Sequence, residues 1–197
     1  MDLNQPFHEE HLRLERVRGL GLVDGVADTV LDGLVRCAAG VTACPVALLS
    51  MIDGQRQVVV ARVGTALRES PRDLAFCAYT ILGNDPFVVE DASGDSRFAD
   101  NPLVRGVTGV RFYAGAPVAV ADVRVGALCV IDTRPRRLAA VERLALTHLA
   151  MTVSSWLDQR DQSRRAADAR PQGHRPRTPI EVSLNRTGGF HLSLRAR

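Results

Sequence analysis

Cys77 is the residue of this 197-residue chain best placed by type to do chemistry. It lies in the run SPRDLAFCAYTILG, between Phe76 and Tyr79. A thiol there can serve as a nucleophile or a redox group once it ionises. Packed among Leu74, Phe76 and Ile81, it reads first as a small hydrophobe in a core or a pocket wall. Three other cysteines, Cys37, Cys44 and Cys129, accompany it, with no CxxC pair and no histidine spacing of the kind that binds zinc. A Cys77–Cys129 redox pair would need Cα atoms within about 7 Å.

A second set of polar residues falls in DSRFADNPLVRG. Asp95, Arg97, Asp100 and Asn101 offer donors and acceptors, and Phe98 offers an apolar wall. Their alternative is loop self-capping, with Asp95 and Asn101 satisfying turn amides and Arg97 pairing with a nearby acid. In VRFYAG, strand alternation sets Arg111 and Tyr113 on one face and Phe112 on the other. A guanidinium beside a phenol suits an anionic or aromatic ligand. An ion pair for Arg111 and a backbone partner for the tyrosine hydroxyl would account for them as well. His148 falls near the apolar side of a long helix, where a haem ligand is conceivable and a packed or half-exposed histidine is the plainer reading.

The elements that must hold these residues can be read from hydrophobic period. His8 to Arg18 is amphipathic, with Leu12, Leu14 and Val17 among charges, and a second helix is expected from about Val26 to Ala39. PVALLSMID and QVVVARVG read as strands, with Asp53-Gly54 between them as a hairpin signal. Ser70 to Leu82 reads as a helix: Ser70 caps it, Pro71 takes the first position and Gly83 ends it in a left-handed conformation. PFVVED, VRFYAGAPVAV and VRVGALCVID are further strands, the last two joined by a tight turn at Asp122. A closing helix runs from near Leu138 to about Arg160, with Leu138, Val141, Leu144, Ala145, Leu149, Val153, Trp156 and Leu157 inward and weak capping at Ala139 and Ala140.

Beyond Asp161 the periodicity dissolves into Arg, Pro, Gly and Gln with little to bury, and disorder or weak helix is expected. IEVSLNRTGGFHLSLRAR alternates and suits a small hairpin about Gly188-Gly189. From Ser163 onward there are eight arginines against Asp168 and Glu181, whereas the rest of the chain has 17 arginines against 20 acids. Such a tail can make weak, salt-dependent contacts with nucleic acid through phosphates. No apolar run approaches the roughly 20 residues of a membrane span. No signal-peptide core opens the chain, so no membrane association and a cytoplasmic location are expected.

Taken in order, PVALLSMID, ARVG, SPRDLAFCAYTIL, VVEDASGDSRFADNPLV, RFYAGAPV and GALCVIDTRPRRL resemble the GAF domains of bacterial signalling proteins over about Leu20 to Asp158. The resemblance implies an α+β fold. A six-stranded antiparallel sheet would carry a helical bundle on one face and a loop-covered small-molecule pocket on the other. The divisions are then residues 1–19 as an N-terminal amphipathic helix, 20–160 as the GAF domain and 161–197 as a basic tail. The ligand-binding set is Phe76, Cys77, Arg97, Phe98, Asn101, Arg111, Tyr113 and Cys129, with no metal.

The function implied is a non-catalytic regulatory module. It would sense a small ligand or redox state and act through a homodimer or a signalling partner protein. The cofactor is left unnamed. No kinase, cyclase or phosphatase module fits the remaining length. Tyr79 replaces a histidine common in similar sequences, the NKFDE signature of cyclic-nucleotide members is missing, and no cysteine is followed by histidine as in bilin-binding relatives. A thiol enzyme resembling free methionine-(R)-sulfoxide reductase, using Cys77 and Cys129, is the enzymatic alternative. A nucleic-acid-associated regulator acting through its tail is the other.

Overall fold

The computed structural model describes residues 5–22, 28–168, 180–184 and 190–194. α1 (Gln5–Gly19) opens the described chain. It turns Arg13 and Val17 inward and leaves Leu12 exposed. Arg13 pairs with Glu10 at 2.7 Å and donates to the carbonyl of Ile52. α2 (Thr29–Thr42) starts three residues later than its hydrophobic pattern predicts, because Asp28 is the cap: its Oδ1 accepts from the amides of Val30 and Leu31. Val26 lies outside the described residues.

Six strands follow in one sheet: β1 (Val46–Ile52), β2 (Arg56–Val63), β3 (Glu69–Pro71), β4 (Phe87–Val89), β5 (Phe112–Val120) and β6 (Val123–Asp132). Their order is β3-β2-β1-β6-β5-β4, and every neighbouring pair is antiparallel. Ala121 and Asp122, both at positive φ, make the two-residue turn between β5 and β6 that right-twisted strands favour. Along β1, Ala47, Leu49 and Met51 point to one face, and Leu48 and Ile52 to the other.

The first face is covered by α1, α2 and α5 (Ala140–Asp168), through Val17, Leu31, Val35, Ala38, Leu146, Ala150, Val153 and Leu157. Each large aliphatic side chain buried there contributes about 1.5–3 kcal/mol. The second face carries α3 (Phe76–Thr80), α4 (Pro102–Arg105) and the long segment between β4 and β5. Beyond residue 163 a separate compact unit contains β7 (Ile180–Leu184) and β8 (Phe190–Leu194), which pair antiparallel as the alternation near Gly188-Gly189 anticipates. Residues 169–179 and 185–189 lie outside the described residues.

Several expectations are corrected. The helix expected from Ser70 to Leu82 is split. Glu69–Pro71 forms the edge strand β3, Arg72–Leu74 is a single 3₁₀ turn, and only Phe76–Thr80 is α-helical. Pro71 is extended at φ −53°, ψ 139° and disfavours helix at Ser70, which pairs with Gln57 instead. Ser70 Oγ is therefore buried without a hydrogen-bond partner rather than capping a helix. Gly83 is not among the residues with positive φ.

Along α5 the expected face holds at Val153 and Leu157, which are fully buried, and at Leu149 and Trp156, which pack against the core as Leu138 does just before the helix, but it shifts near the start of the helix. Leu146 and Ala150 are buried, while Val141 is 71% and Leu144 55% exposed. Its start, lacking a side-chain cap at Ala139, is closed from the other direction: Glu142 Oε2 accepts from the Ala139 amide at 2.7 Å. The helix also continues eight residues beyond Arg160. Asp28 joins α2 to α5, since its Oδ2 accepts from Trp156 Nε1 at 3.1 Å and Arg160 Nη1 at 3.2 Å.

Candidate ligand cavity and its thiol neighbours

On the second face the sheet supplies Tyr113 from β5 and Cys129 from β6, and α3 lays Phe76, Cys77 and Thr80 over them. Phe76 stacks on Phe98 with centroids 4.1 Å apart and on Tyr113 at 5.2 Å; Tyr79 meets Phe98 edge-on at 4.8 Å. Five of the eight residues expected to bind a ligand (Phe76, Cys77, Phe98, Tyr113 and Cys129) thus come together as a packed cluster, each 4% exposed or less.

Inside this cluster runs a thread of polar atoms. Tyr113 Oη lies 2.6 Å from Thr80 Oγ1 and donates to Cys77 Sγ at 3.3 Å. With the tyrosine proton directed at sulfur, Thr80 is the donor of the other bond. Cys77 Sγ is 3.6 Å from Cys129 Sγ, within reach of a shared thiol hydrogen bond. That bond is the main influence holding the Cys77 thiol below its usual range, opposed by burial and reinforced by Ser50 and Tyr113. Ser50 Oγ makes no well-formed hydrogen bond, so its effect is one of proximity. Cys129 moves the opposite way, raised first by its bond to Cys77 and then by burial, and burial also raises Tyr113. The two thiols titrate as a pair, and the geometric feature that distinguishes Cys77 within it is the Tyr113 hydroxyl aimed at its sulfur.

The three remaining predicted residues are held by the loop itself. Asp95 Oδ1 accepts from the amide and Nε of Arg97, and the Arg97 guanidinium sits 4.8 Å from the Phe87 centroid. This pairing lowers the Asp95 carboxyl and raises the guanidinium. Asn101 caps α4 by accepting from Leu103 N at 2.8 Å and donates through Nδ2 to Leu74 O at 2.9 Å. Arg111 pairs with Asp91 at 3.1 Å. The self-capping arrangement is the one the structure shows, and Arg111 stands apart from the thiol cluster. Tyr113 does share its face with that cluster, with Phe112 on the other side as alternation requires. His148 is exposed on α5. Among the described residues no group of acidic, histidine or cysteine side chains is arranged to hold a metal ion.

Beside the cluster, on the same sheet face, is a cavity of about 420 Å³. Val46, Leu48 and Ile131 form its floor from β1 and β6. Gly64–Leu67 of the β2–β3 connection form one wall, and Leu103, Thr108 and Val110 the other. Asp132 and Thr133 stand among its lining, and Asp132 is already paired with Arg136 at 3.2 Å. Gly64, at φ +75°, turns the connection over Pro45, where a Cβ would collide with the Pro45 carbonyl. None of the residues expected to bind a ligand lines this cavity. Its walls are ordinary strand and loop aliphatics, and only the register of PVALLSMID against GALCVID would have brought them together. A wider groove of about 680 Å³ lies between Gly54-Gln55 and α3, with Arg72 on its rim already bound to Glu10 at 2.6 Å.

The antiparallel six-stranded sheet, helices on one face and a loop-walled cavity on the other define the class. The GAF domain family model matches residues 27–155, and the chain belongs to that family. A Pseudomonas aeruginosa protein named as a cyclic di-GMP phosphodiesterase is 45% identical over 151 residues, which is 75% of this chain and 26% of that protein. The chain therefore spans about a quarter of that relative's length. The blue-light absorbing form of the PixJ GAF domain of Thermosynechococcus elongatus superposes with a TM-score of 0.58 at 16% identity, covering 88% of this chain and 99% of that one. Free methionine-R-sulfoxide reductase of Neisseria meningitidis superposes at 0.54 and 16% identity, covering 80% and 93%. At these identities the two likenesses show the fold alone. No helix among the described residues is long and apolar enough to cross a membrane.

Proposed function

We propose that this chain is a regulatory sensor module that binds a small, largely apolar molecule and acts through a second copy of itself or a partner protein. The observation that carries the reading is the cavity of about 420 Å³ walled by two loop segments over β1 and β6. A ligand seated there touches both the sheet and the loops, so it can bias their packing in proportion to its preference for one arrangement. Cys77 and Cys129 lie outside the cavity, which supports binding without catalysis at that place. Native mass spectrometry of the gently purified chain and thermal-shift measurements across a metabolite and nucleotide panel test the reading. The expected result is a stabilising small molecule whose effect is lost in Ala66→Trp, which fills the wall. Identical melting with every compound in both proteins overturns it.

For the relative named as a cyclic di-GMP phosphodiesterase, we infer that the matched segment supplies regulation and not hydrolysis. This rests on the GAF domain match of this chain over residues 27–155 and on the similarity covering only 26% of that relative. Incubating this chain with cyclic di-GMP is expected to leave the dinucleotide intact.

A reductase acting on free methionine sulfoxide has one observation in its favour, the thiol pair at 3.6 Å. Both sulfurs are covered by the stacked rings, so a substrate of amino-acid size has no approach to them. A thioredoxin-coupled assay showing turnover that Cys77→Ser abolishes would reinstate that reading.

A further inference from the structure

We propose that Cys77 and Cys129 form a peroxide-oxidisable dithiol, a covalent redox site joining α3 to β6. The reading stands apart from the cavity, since neither sulfur lines it. Three observations carry it.

The first is distance. The sulfurs are 3.6 Å apart on two regular elements in contact, so roughly 1.5 Å of approach completes a disulfide. The second is the thread of donors. A structural cysteine in an aromatic cluster needs no hydroxyl, yet Cys77 Sγ receives the Tyr113 proton at 3.3 Å, and Tyr113 is in turn fixed by Thr80 at 2.6 Å. A donor aimed at sulfur favours the thiolate, the form that reacts.

The third is space made for that thread. Gly115 is the ladder partner of Cys129, and a Cβ there would lie 2.8 Å from Thr80 Oγ1 and closer still to Tyr113 Oη. The strand carries no side chain at the position where one would push the hydroxyls out of place.

The chemistry assigns each sulfur a part. The Cys77 thiolate attacks one oxygen of hydrogen peroxide; the O–O bond breaks, and the departing hydroxide takes a proton as water, leaving Cys77 as a sulfenic acid. Cys129 sulfur then attacks Cys77 sulfur. The S–O bond breaks and its oxygen leaves as a second water with the Cys129 proton. Two thiols and one peroxide become one disulfide and two waters, the thiols losing two electrons and the peroxide gaining them. A peroxide is little larger than water, so its entry asks far less displacement of the stacked Phe76 and Phe98 rings than an amino-acid sulfoxide does. Tyr113 is a positioning residue in this scheme.

The test oxidises the full reduced chain with hydrogen peroxide, alkylates it in denaturant and maps the unreduced tryptic peptides. Cleavage at arginine gives peptide 73–97 with Cys77, peptide 125–136 with Cys129, and peptide 37–56 with both other cysteines. The expected product is 73–97 joined to 125–136, two hydrogens lighter than the sum. Retention of both peptides as alkylated thiols, or joining to 37–56 instead, overturns the proposal. When the peroxide reaction is quenched into denaturant containing dimedone, an adduct is expected on Cys77 in Cys129→Ser and none on Cys129 in Cys77→Ser; the reverse pattern overturns the assignment of roles. Wild-type mapping does not depend on either variant folding. Tyr113→Phe is expected to slow the peroxide-driven joining of the two peptides at neutral pH and to move its pH profile upward, because the donor that favours the thiolate is gone. An unchanged profile removes Tyr113 from the scheme. Ligand binding by the reduced protein is measured separately, so failure here leaves the cavity reading in place.

Discussion

Gly115 stands directly across the β5–β6 ladder from Cys129, and the side chain it lacks is the space in which Tyr113 Oη meets Thr80. Gly115→Ala is expected to destabilise the fold by about 1–3 kcal/mol, as overfilling of a packed site does. Urea unfolding checks the loss. A stability equal to wild type would show that the strand yields at no cost.

Asn101 ties the loop to α3's approach through two bonds, one capping α4 and one reaching Leu74 O. Asn101→Ala is expected to cost about 1–2 kcal/mol. Asn101→Asp keeps the cap acceptor and loses only the donor, so its loss should be smaller. Equal losses in the two variants would contradict a double role.

The register of α5 can be tested by two leucines two positions apart. Leu146 is fully buried and Leu144 is 55% exposed. Leu146→Ala should lower stability by about 2–5 kcal/mol, and Leu144→Ala should stay within about 0.5 kcal/mol. The opposite ranking would restore the face that hydrophobic spacing alone predicts.

Glu10 predicts an acid dependence. Hydrogen bonding to Arg13, with Arg72 adding to it, lowers its carboxyl from 4.5 to about 2. A carboxyl lowered on folding stabilises the native state above its unfolded pKa, and that stability fades as pH falls from about 5 toward 2. The group is 37% exposed, so screening holds the contribution to about 1 kcal/mol or less. Wild type should exceed Glu10→Gln in stability at pH 7, and the difference should close on acidification. A difference independent of pH would assign it to packing.

What the sequence shows and what it hides follow from the reach of each signal. The strands of PVALLSMID and VRVGALCVID, the Asp53-Gly54 hairpin and the Asp122 turn are local patterns, and the structure contains them. β3 escapes because the edge pairing of Glu69–Pro71 with Arg56–Val58 is non-local, while Ser-Pro before an apolar run has the local form of a helix start. Leu146 escapes because Val141, Leu144 and Leu149 offer an equally apolar stripe, and only contact with the sheet chooses between them. Cys77, Tyr113 and Cys129 were identifiable by type, and their meeting depends on α3 crossing β5 and β6. The cavity has walls of Val, Leu, Ile and Thr, side chains that carry no chemical signature in a sequence.

The Asp28 carboxylate has two employments at once. One oxygen starts α2, and the other grips the indole and guanidinium of Trp156 and Arg160 on α5. Sliding α5 past α2 would therefore unfasten a bond at the tip of each gripped side chain while tugging on the first turn of its neighbour. The two helices are clasped at that point, so motion passed along α5 should carry the start of α2 with it, as a pair of rods pinned together turns as one lever.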